Sequence, residues 1–578
     1  MEIFNIKNLN FSYPETDKYA LKNINLQVKS GEVLIICGKS GCGKTTLLSL
    51  LKPCQAPYGK KSGEILFAGK DISSLSPRRQ SAKIGYVMQK PDRQIVTDKV
   101  WHELAFGCEN LGLPPETIRR RVAETANFLG IDRWFDKTTV QLSGGQKQLL
   151  NLASVMTMQP EVLILDEPTS ALDPIAAADF LNSLWRINSE LGTTVIIAEH
   201  RTENIFEKAD RTVFMDNGEI VAIGETREIL KNIKNEFEYF LPAPTRVSRK
   251  LSCEKCLLTV KEGRKLIMPY KSERQTADEA SIKSRDKNEY AVTVKNAYFR
   301  YSKNGEDILK DCNFSLEKGQ ICAVIGGNGS GKSTFVQHLN ALLPLQSGTL
   351  TVGDTVMVGG KKTDKKLLKT LRSKVGMVFQ YPEYQLFAET VGQDVAFGYK
   401  NFFPNAKEDE INAAVDRALT LVGIDLSLKN VSPFELSGGQ KRRVAIAGVI
   451  VTSPEILVLD EPVAGLDPRG KRDLMRLLQN LKNTTCKTII IVSHDMDEVA
   501  ENCNKAAVFS GGEIVKCGNV KEIFSCGEEL NELRLGLPLT AYIAEELKKS
   551  GVELNLVSYD EDGFVKAVKE YKNGVIRR

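Results

Sequence analysis

The sequence predicts an α/β protein in which one parallel-sheet domain occurs twice along a single chain. Three observations support this: an ordered set of motifs is repeated, each copy opens with a strand, a Gly-rich turn and a helix, and β-branched runs follow. In each copy the Ser of a Leu-Ser-Gly-Gly-Gln motif lies 23 residues before an Asp, which lies 34 residues before a His. Such a repeat indicates two large units in a chain of 578 residues.

Composition excludes several classes of function. The 78 basic and 73 acidic residues leave a net charge of +5, so no general basic field points to a nucleic-acid partner. The longest apolar runs are about one strand long, far short of the roughly 20 residues that a membrane span needs. The first residues lack the pattern of a signal peptide, so we expect a cytosolic protein whose 12 Cys are reduced thiols.

Apolar runs place the strands of both halves. Residues 3–6 and 292–294 open the halves as short strands, and each is followed by an aromatic turn. Four later runs are continuous and rich in β-branched residues, namely 162–165, 195–197, 457–459 and 489–492. Runs of this kind are typical of strands that are buried on both faces of a parallel sheet.

We predict four segments: a first domain at 1–245, a linker at 246–289, a second domain at 290–530 and a C-terminal extension at 531–578. The segment 246–289 is rich in charged residues and Ser without a sustained apolar period, which indicates a linker or a small accessory piece. About 40 flexible residues would reach roughly 35 Å. Cys253 and Cys256 form a lone CxxC, which favours two solvent-facing thiols over a zinc site. An amphipathic helix near 540–550 is expected to serve packing.

Each half carries the pattern Gly-x-x-x-x-Gly-Lys-Ser/Thr between a strand and a helix. The glycines let backbone N–H groups turn inward around phosphates, the Lys bridges β and γ oxygens, and the hydroxyl holds Mg²⁺. Thr45 and Ser333 are therefore the predicted Mg²⁺ hydroxyls. The predicted phosphate-binding positions are Gly38, Lys39, Ser40, Gly41, Cys42, Gly43, Lys44, Thr45, Thr46, Gly326, Gly327, Asn328, Gly329, Ser330, Gly331, Lys332, Ser333 and Thr334.

An acidic pair ends one apolar run in each half. Asp166 and Asp460 follow strands at the edge where open α/β sheets bind ligands, so each is predicted to reach Mg²⁺. The next residues, Glu167 and Glu461, are placed to orient or deprotonate the attacking water. The pair predicts a hydrolytic nucleotide site in each half.

The Leu-Ser-Gly-Gly-Gln turns lead into predicted helices at 148–158 and 442–451, so N–H groups and a hydroxyl gather at a second anion site. With these motifs the chain resembles the ABC ATPase family along almost its whole length. The resemblance implies two P-loop ABC domains in tandem, each with a RecA-like parallel-sheet core, an antiparallel β subdomain and a helical signature subdomain. It also implies ATP and Mg²⁺ as ligands.

The same resemblance assigns roles to further residues. It gives Tyr13 and Tyr301 to adenine stacking, Gln89 and Gln380 to sensing the γ-phosphate and Mg²⁺, and His200 and His494 to a γ-phosphate switch. Asp173 and Asp467 match the family's D-loop. In a head-to-tail pairing of the domains, the resemblance implies two composite sites: Ser437 and Gly439 would complete the site of the first P-loop, and Ser143 and Gly145 that of the second.

The runs after the two glutamines are alike. Gln89 precedes Lys-Pro-Asp-Arg-Gln-Ile and later Glu-Leu-Ala-Phe-Gly, whereas Gln380 precedes Tyr-Pro-Glu-Tyr-Gln-Leu and later Asp-Val-Ala-Phe-Gly. This resembles the ATPase of energy-coupling-factor importers, which take up vitamins and transition-metal ions. It implies two membrane partners at the cytoplasmic face, a T-type coupling subunit and a substrate-binding subunit. The alternative is that these Phe and Pro residues only pack the helical subdomain.

Two other classes stay open from the sequence. A tandem ABC protein acting on ribosomes also lacks membrane spans. Proteins of that class carry a long, basic helical linker, whereas residues 246–289 contain Gly263 and Pro269 and have no sustained helical period. A tandem sugar-importer ATPase fits the two runs after the glutamines less well. The transported compound, whether vitamin, vitamin precursor, cobalt or nickel, is not readable from this chain.

The halves also differ around their shared motifs. Gln148 and Leu149 stand where the second half has the basic residues Arg442 and Arg443, and Arg201 stands where the second half has an Asp. We therefore hypothesise two competent sites that turn over at unequal rates. Cys42 replaces the second loop's Ser330 beside a Lys and a helix start, so its thiol is either activated, with alkylation blocking the first site and ATP protecting it, or packed and inert.

Overall fold

Two compact units make up the chain in the computed structural model, the first within residues 1–266 and the second within 267–578 apart from 467–469. The structure describes residues 2–14, 16, 18–170, 172–200, 205–253, 255–263, 289–361, 364–533 and 535–576. Within these ranges no helix is both long and apolar enough to span a bilayer. Each unit contains one complete set of the duplicated motifs.

The first unit contains two sheets. Its strands are β1 (Glu2–Ser12), β2 (Leu21–Lys29), β3 (Val33–Gly38), β4 (Lys60–Phe67), β5 (Lys70–Asp71), β6 (Ile84–Val87), β7 (Val162–Asp166), β8 (Thr194–Ala198), β9 (Arg211–Asp216) and β10 (Glu219–Glu225). One sheet is antiparallel in the order β2-β1-β4-β5. The other has the order β10-β9-β3-β8-β7-β6 and is parallel except for its edge pair β9 and β10.

Helices cover the six-stranded sheet of the first unit. They are α1 (Lys44–Leu50), α2 (Pro77–Lys83), α3 (Val100–Asn110), α4 (Pro115–Leu129), α5 (Gly144–Met156), α6 (Pro174–Leu191), α7 (Thr226–Asn232), α8 (Ala243–Lys250) and α9 (Val260–Gly263). Helices α3, α4 and α5 pack together as a helical subdomain. The predicted helix at 148–158 begins earlier, because Ser143 caps α5 directly.

The buried runs form central strands, as predicted. Strands β3, β7 and β8 are buried along their whole length, because apolar layers cover both faces of the sheet. Side chains alternate between the faces: Leu34 and Ile36 pack with α1 and the antiparallel sheet, whereas Ile35 packs with the helices α3 to α6. The sheet is thus fixed from both sides, and its carboxyl edge carries the motifs.

The second unit repeats this architecture. Its strands are β11 (Tyr290–Phe299), β12 (Leu309–Glu317), β13 (Ile321–Gly326), β14 (Ser347–Val352), β15 (Thr355–Val358), β16 (Val375–Val378), β17 (Ile456–Asp460), β18 (Thr488–Val492), β19 (Lys505–Ser510) and β20 (Glu513–Asn519). The sheet orders are β12-β11-β14-β15 and β16-β17-β18-β13-β19-β20. Again only the edge pair β19 and β20 is antiparallel in the larger sheet.

The helices of the second unit follow the same plan up to its C-terminal part. They are α10 (Lys332–Leu339), α11 (Lys365–Lys374), α12 (Val391–Phe402), α13 (Glu408–Leu421), α14 (Gly438–Ile450), α15 (Pro468–Thr484), α16 (Met496–Asn502), α17 (Val520–Phe524), α18 (Gly527–Glu532), α19 (Leu539–Lys549) and α20 (Glu561–Ile576). Helices α12, α13 and α14 pack together. The predicted fold class, two tandem α/β domains with antiparallel and helical subdomains, is confirmed.

The described part of the segment between the predicted domains packs against the first unit. Helix α8 crosses the predicted boundary at 245/246, and Val247, Leu257 and Leu258 are buried against the first unit. The Arg227 guanidinium also pairs with the Glu262 carboxylate at 2.9 Å. This part is a packed accessory piece, and the rest of the predicted linker, 264–288, lies outside the described residues.

The C-terminal residues pack onto the second unit. Helix α18 crosses the predicted boundary at 530/531, and Leu530, Leu535 and Ala541 join an apolar cluster with Ile325 of β13. The predicted helix near 540–550 is present as α19, whose Ile543 is fully buried. This helix serves packing, as the sequence indicated.

Candidate functional site

The glycine-rich loop of the first unit joins β3 to α1. Gly43 caps α1 with a φ of 101°, and a Cβ there would lie 2.5 Å from the carbonyl oxygen of Ala20, so only Gly fits. The buried Lys44 ammonium donates hydrogen bonds to the Gly38 and Lys39 carbonyls at 2.8 and 3.1 Å. The Lys39 ammonium pairs with Asp216 at 3.1 Å, so of the two lysines only Lys44 has its ammonium within the loop.

The second loop has the same geometry. Gly331 caps α10 with a φ of 104°, and a Cβ there would lie 2.9 Å from the Ile308 carbonyl oxygen. The Lys332 ammonium donates to the Gly326 and Gly327 carbonyls at 2.9 and 2.8 Å. Burial lowers the pKa of Lys332, against the opposing charges of Glu461 and Asp460. Each loop therefore holds a desolvated ammonium that an anionic ligand can pair with.

A carboxylate at the end of a central strand contacts each loop hydroxyl. Thr45 Oγ1 donates to Asp166 Oδ1 at 3.1 Å, and Ser333 Oγ donates to Asp460 Oδ1 at 3.3 Å. Burial, with the charge of Glu167, raises the pKa of Asp166 to about 6, and burial also raises the pKa of Asp460. In each unit a buried carboxylate beside a loop hydroxyl supplies the hard oxygen ligands that suit Mg²⁺.

The next residue in each unit has a strained backbone. Glu167 and Glu461 both have a φ of 46°, a conformation that residues other than Gly rarely adopt. Their N–H groups donate to the carbonyls of Ala198 and Val492, at 2.9 and 3.1 Å, so the adjacent strand holds the turn. Strain of this kind is concentrated at functional sites, where the surrounding structure imposes it.

The predicted glutamine and histidine meet at this glutamate in both units. Gln89 Nε2 donates to Glu167 Oε2 at 2.8 Å, and His200 Nε2 lies 2.6 Å from Glu167 Oε1. In the second unit Gln380 Nε2 lies 2.7 Å and His494 Nε2 2.5 Å from the Glu461 carboxylate. Burial alone would raise the pKa of Glu167, but the His200 contact and the Lys44 charge lower it below its usual value.

A cavity of about 330 Å³ lies over the first loop. The exposed Tyr13 ring stands edge-to-face on Phe11 and its hydroxyl lies 2.9 Å from Thr46 Oγ1. Tyr301 and Thr334 make the same contact at 3.1 Å in the second unit. The residues that line the cavity of the first unit are Tyr13, Ala20, Ser40, Gly41, Gly43, Lys44, Thr45, Thr46 and Glu167. It is thus bounded by one ring, the loop and the glutamate.

The signature residues lie at the start of a helix in each unit, away from this lining. Ser143 accepts from Gln146 N at 3.3 Å and Gln146 Oε1 accepts from Ser143 N at 2.9 Å, a reciprocal cap that Ser437 and Gln440 repeat. Ser143 and Gly145 do not line the cavity of the first unit. A Cβ at Gly439 would meet no atom within 4 Å, so steric crowding inside the unit does not require this Gly.

Sequence reasoning missed the role of one acidic residue in each unit, which fixes the turn after the glutamine. Glu103 Oε2 accepts hydrogen bonds from Val96 N and Thr97 N at 3.0 and 2.8 Å. Asp394 Oδ2 accepts from the backbone N–H groups of residues 387 and 388 at 2.8 and 2.9 Å. The signal was an acid within an otherwise apolar Leu/Val-Ala-Phe-Gly run, which is common enough on exposed helices to carry little weight.

Of the two readings of Cys42, the structure favours the inert thiol. Cys42 is 3% exposed, and burial raises its pKa although the nearby Lys44 charge opposes this. Cys253 and Cys256 are half-buried rather than solvent-facing, and burial raises the pKa of Cys256. No cluster of metal-ligating side chains occurs in the described part of the chain.

We expect Cys42 to resist alkylation in the folded protein, because the thiolate is the reactive form and this thiol is both buried and hard to ionise. Iodoacetamide at pH 7.5, followed by peptide mass spectrometry, should label the exposed Cys54 at least about tenfold faster than Cys42. The Cys42→Ser protein should lose activity at the native rate under this treatment. Rapid labelling of Cys42 that ATP prevents would instead support an activated thiol at the first site.

Together these groups define a class of protein, a duplicated P-loop ATPase with one loop, acidic pair, glutamine and histidine in each unit. The family described as ABC transporter matches residues 21–170 and 309–464. The chain belongs to this family. It is accordingly an ATPase that binds ATP with Mg²⁺.

Known relatives agree with the duplication. A Bacillus thuringiensis subsp. konkukian protein assigned as an ABC transporter ATP-binding protein is 34% identical over 522 residues, 90% of this chain and 92% of that protein. A Methanosarcina mazei protein of the same assignment is 33% identical over 567 residues, 95% of this chain and 94% of that protein. The structure of cbiO1 from Clostridium perfringens, described as part of the ABC transporter complex cbiONQ, is 39% identical, covers 44% of this chain and 99% of that one, and has a TM-score of 0.38.

Proposed function

We propose that the chain is the ATP-hydrolysing subunit of an energy-coupling-factor type importer. It would bind at the cytoplasmic face of the membrane and drive uptake of a small nutrient through separate membrane subunits, a T-type coupling subunit and a substrate-binding subunit. The observation that carries this proposal is the pair of exposed aromatic side chains that follow the glutamine turns. The substrate class is a vitamin, a vitamin precursor or a transition-metal ion.

The exposed aromatics argue against the alternative that this run only packs the helical subdomain. The Phe106 side chain is 37% exposed and the equivalent Phe397 is 53% exposed. Phe397 also stands edge-to-face on Phe387, which is 60% exposed, with ring centroids 4.9 Å apart. Aromatic rings held at a surface by a rigid helix are typical anchors for a partner helix. Glu103 and Asp394 lie on the same helices as Phe106 and Phe397 and accept hydrogen bonds from the turn that follows each glutamine, so they connect this surface to that turn.

The residues of the first unit fit ATP with Mg²⁺. Tyr13 would stack on adenine, the loop N–H groups and Lys44 would bind the phosphates, and Thr45, Gln89 and Asp166 would hold the metal. When bound, Mg²⁺ neutralises charge on the β and γ oxygens. The corresponding groups of the second unit are Tyr301, Lys332, Ser333, Gln380 and Asp460.

Hydrolysis would follow from the glutamate and its two neighbours. As the water oxygen bonds to the γ-phosphorus and the bond to ADP breaks, Glu167 or Glu461 would accept a water proton. The lowered pKa of Glu167 keeps it as the carboxylate that this step needs. His200 and His494 would then orient the glutamate and contact the γ-phosphate, and Gln89 or Gln380 would transmit its loss to the aromatic surface.

Signature residues would complete the sites in a head-to-tail pairing of the two domains. Ser437 and Gly439 would reach the γ-phosphate at the first loop, and Ser143 and Gly145 the one at the second. Support comes from the exposure of Ser437 and from the open space around Gly439, since a Gly without a steric need inside its own unit suits close approach by a ligand.

The importer proposal is tested by purifying the tagged chain from detergent-solubilised membranes of its own organism. We expect a polytopic membrane protein to co-purify, and the Phe106→Asp, Phe397→Asp double variant to recover about tenfold less of it with ATPase activity retained. Tyr58→Asp, which changes another ring that is 88% exposed, is the matched control. Salt-sensitive recovery of ribosomes with no membrane protein would instead support the ribosomal class.

A further inference from the structure

The turn after each catalytic glutamate is anchored differently in the two units. We call residues 168–170 the first post-glutamate turn and residues 462–464 the second. Thr169 of the first turn occupies the position of Val463 in the second, two residues after the glutamate in each case. Thr169 is 1% and Val463 8% exposed, so both positions are buried. Their side-chain chemistry nevertheless differs, because only Thr can donate a hydrogen bond.

In the first unit the anchor is a buried carboxylate. Glu199 is 1% exposed, and its Oε1 accepts hydrogen bonds from the Thr169 backbone N–H at 2.8 Å and from the Thr169 hydroxyl. Its Oε2 accepts from the His200 N–H at 2.8 Å. Glu199 therefore joins the first post-glutamate turn to the loop of the histidine that contacts Glu167.

In the second unit the anchor is a guanidinium from the signature helix α14. Arg442 donates to the carbonyl oxygens of Pro462 and Ala464, at 2.9 and 3.0 Å. The same group pairs with the Glu383 carboxylate at 3.3 Å, three residues after Gln380. Arg442 therefore joins the second post-glutamate turn to the signature helix and to the glutamine turn.

The residues at the equivalent positions, Gln148 in the first unit and Ser493 in the second, make different contacts. Gln148, in the place of Arg442, donates to the Met88 carbonyl at 3.0 Å, and its Oε1 has no partner among the described residues. Ser493, in the place of Glu199, donates to Oε2 of Glu498 on the following helix α16 at 3.0 Å. Among the contacts of the described residues, neither Gln148 nor Ser493 bonds to the post-glutamate turn of its own unit, so each unit uses a different anchor.

We propose that Glu199 and Arg442 are positioning residues, each for the catalytic glutamate of its own unit. They connect the two glutamates to different elements of the fold. Glu199 couples Glu167 to the histidine loop, within the sheet core. Arg442 couples Glu461 to the helical subdomain, which carries the partner surface. Movement of that subdomain would therefore reach Glu461 through Arg442, whereas among the described contacts Gln89 connects it to Glu167. This inference rests on the proposed catalytic roles of the two glutamates.

Hydrogen–deuterium exchange of the full chain tests the anchors without relying on activity. Each anchor is exchanged for the residue of the other unit, giving Glu199→Ser and Arg442→Gln. We expect Glu199→Ser to speed exchange in a peptide covering 167–172 about tenfold, with 461–466 unchanged, and Arg442→Gln to do the reverse. Glu199→Gln, which keeps an acceptor for Thr169, should restore most of the protection. No change, or equal acceleration in both turns, would overturn the inference.

Steady-state kinetics then tests the link to catalysis. With Glu461→Gln present, so that the first site is measured, Glu199→Ser should lower kcat about tenfold and change the KM for ATP less than about twofold. With Glu167→Gln present, Arg442→Gln should do the same at the second site, and each anchor variant should be silent at the opposite site. Selective exchange effects without these kinetic effects would overturn the positioning role and leave only a structural anchor of each turn. Native hydrolysis in the Glu167→Gln, Glu461→Gln double variant would instead refute the catalytic assignment of the glutamates.

Discussion

Replacing Glu461 with Gln is expected to lower ATP hydrolysis at its site about 100-fold, and Glu167→Gln should do the same at the other site. Glutamine keeps the shape of the side chain and an oxygen for the histidine, but it cannot take a proton from water. The residual rate of each single variant therefore reports turnover at the other site. Phosphate release by the purified chain with saturating Mg²⁺ and ATP measures it.

Unequal residual rates are expected from the two single variants, because the halves differ at Gln148 and at Glu199. Glu161→Gln, at an exposed ion pair with Lys83, is a control that should keep the native rate. Identical residual rates would contradict the hypothesis of unequal sites. A native rate in the double variant would remove both glutamates from the catalytic step.

Much of the fold follows from sequence because the repeat and the apolar runs act locally. The strand at 162–165, its partner at 195–197 and the Gly-rich turn before Lys44 each have a direct physical signature, namely continuous burial or a required positive φ. The convergence of Gln89 and His200 on Glu167 could be expected only from the resemblance to the family. Nothing in their spacing gives a distance between them.

Other features depend on tertiary contacts and could not be read from the chain. The positive φ of Glu167 and Glu461 is held by hydrogen bonds that their N–H groups donate to carbonyls of the adjacent strand, and Glu is not a residue that signals this conformation. The charged composition of 246–289 left a linker or a small accessory piece open, and only the burial of Val247, Leu257 and Leu258 identifies its described part as packed. Cys42 was ambiguous because a thiol's pKa depends on burial, which a motif does not specify.

The contacts of the anchors Glu199 and Arg442 could not be predicted from the sequence either. Gln148 and Arg442 were visible as a departure in an otherwise matched motif. Their partners were not, because Pro462 and Ala464 take part through backbone oxygens, which any residue supplies. Glu199 beside His200 could have been an exposed charge, and only its burial identifies it as a structural acceptor.

The Lys44→Ala and Lys332→Ala variants are each expected to lose ATP binding at one site, with affinity there reduced about 100-fold. Each ammonium is buried within its loop and bonded to two loop carbonyls, so Ala removes the cation that the phosphates would pair with. Equilibrium dialysis with Mg²⁺ and ATP should give two nucleotides per native chain and one per single variant.

Two control measurements distinguish a loss of ATP binding at one site from a loss of folding. Lys70→Ala, which removes an exposed ammonium from β5, should keep both nucleotides and the native melting temperature. Without nucleotide, the two loop variants should melt close to the native temperature, because each loses a desolvated charge along with its hydrogen bonds. ATP should then raise their Tm less than it raises that of the native chain, since binding stabilises only the folded state. Two bound nucleotides in Lys332→Ala would rule out the second loop as an independent ATP site.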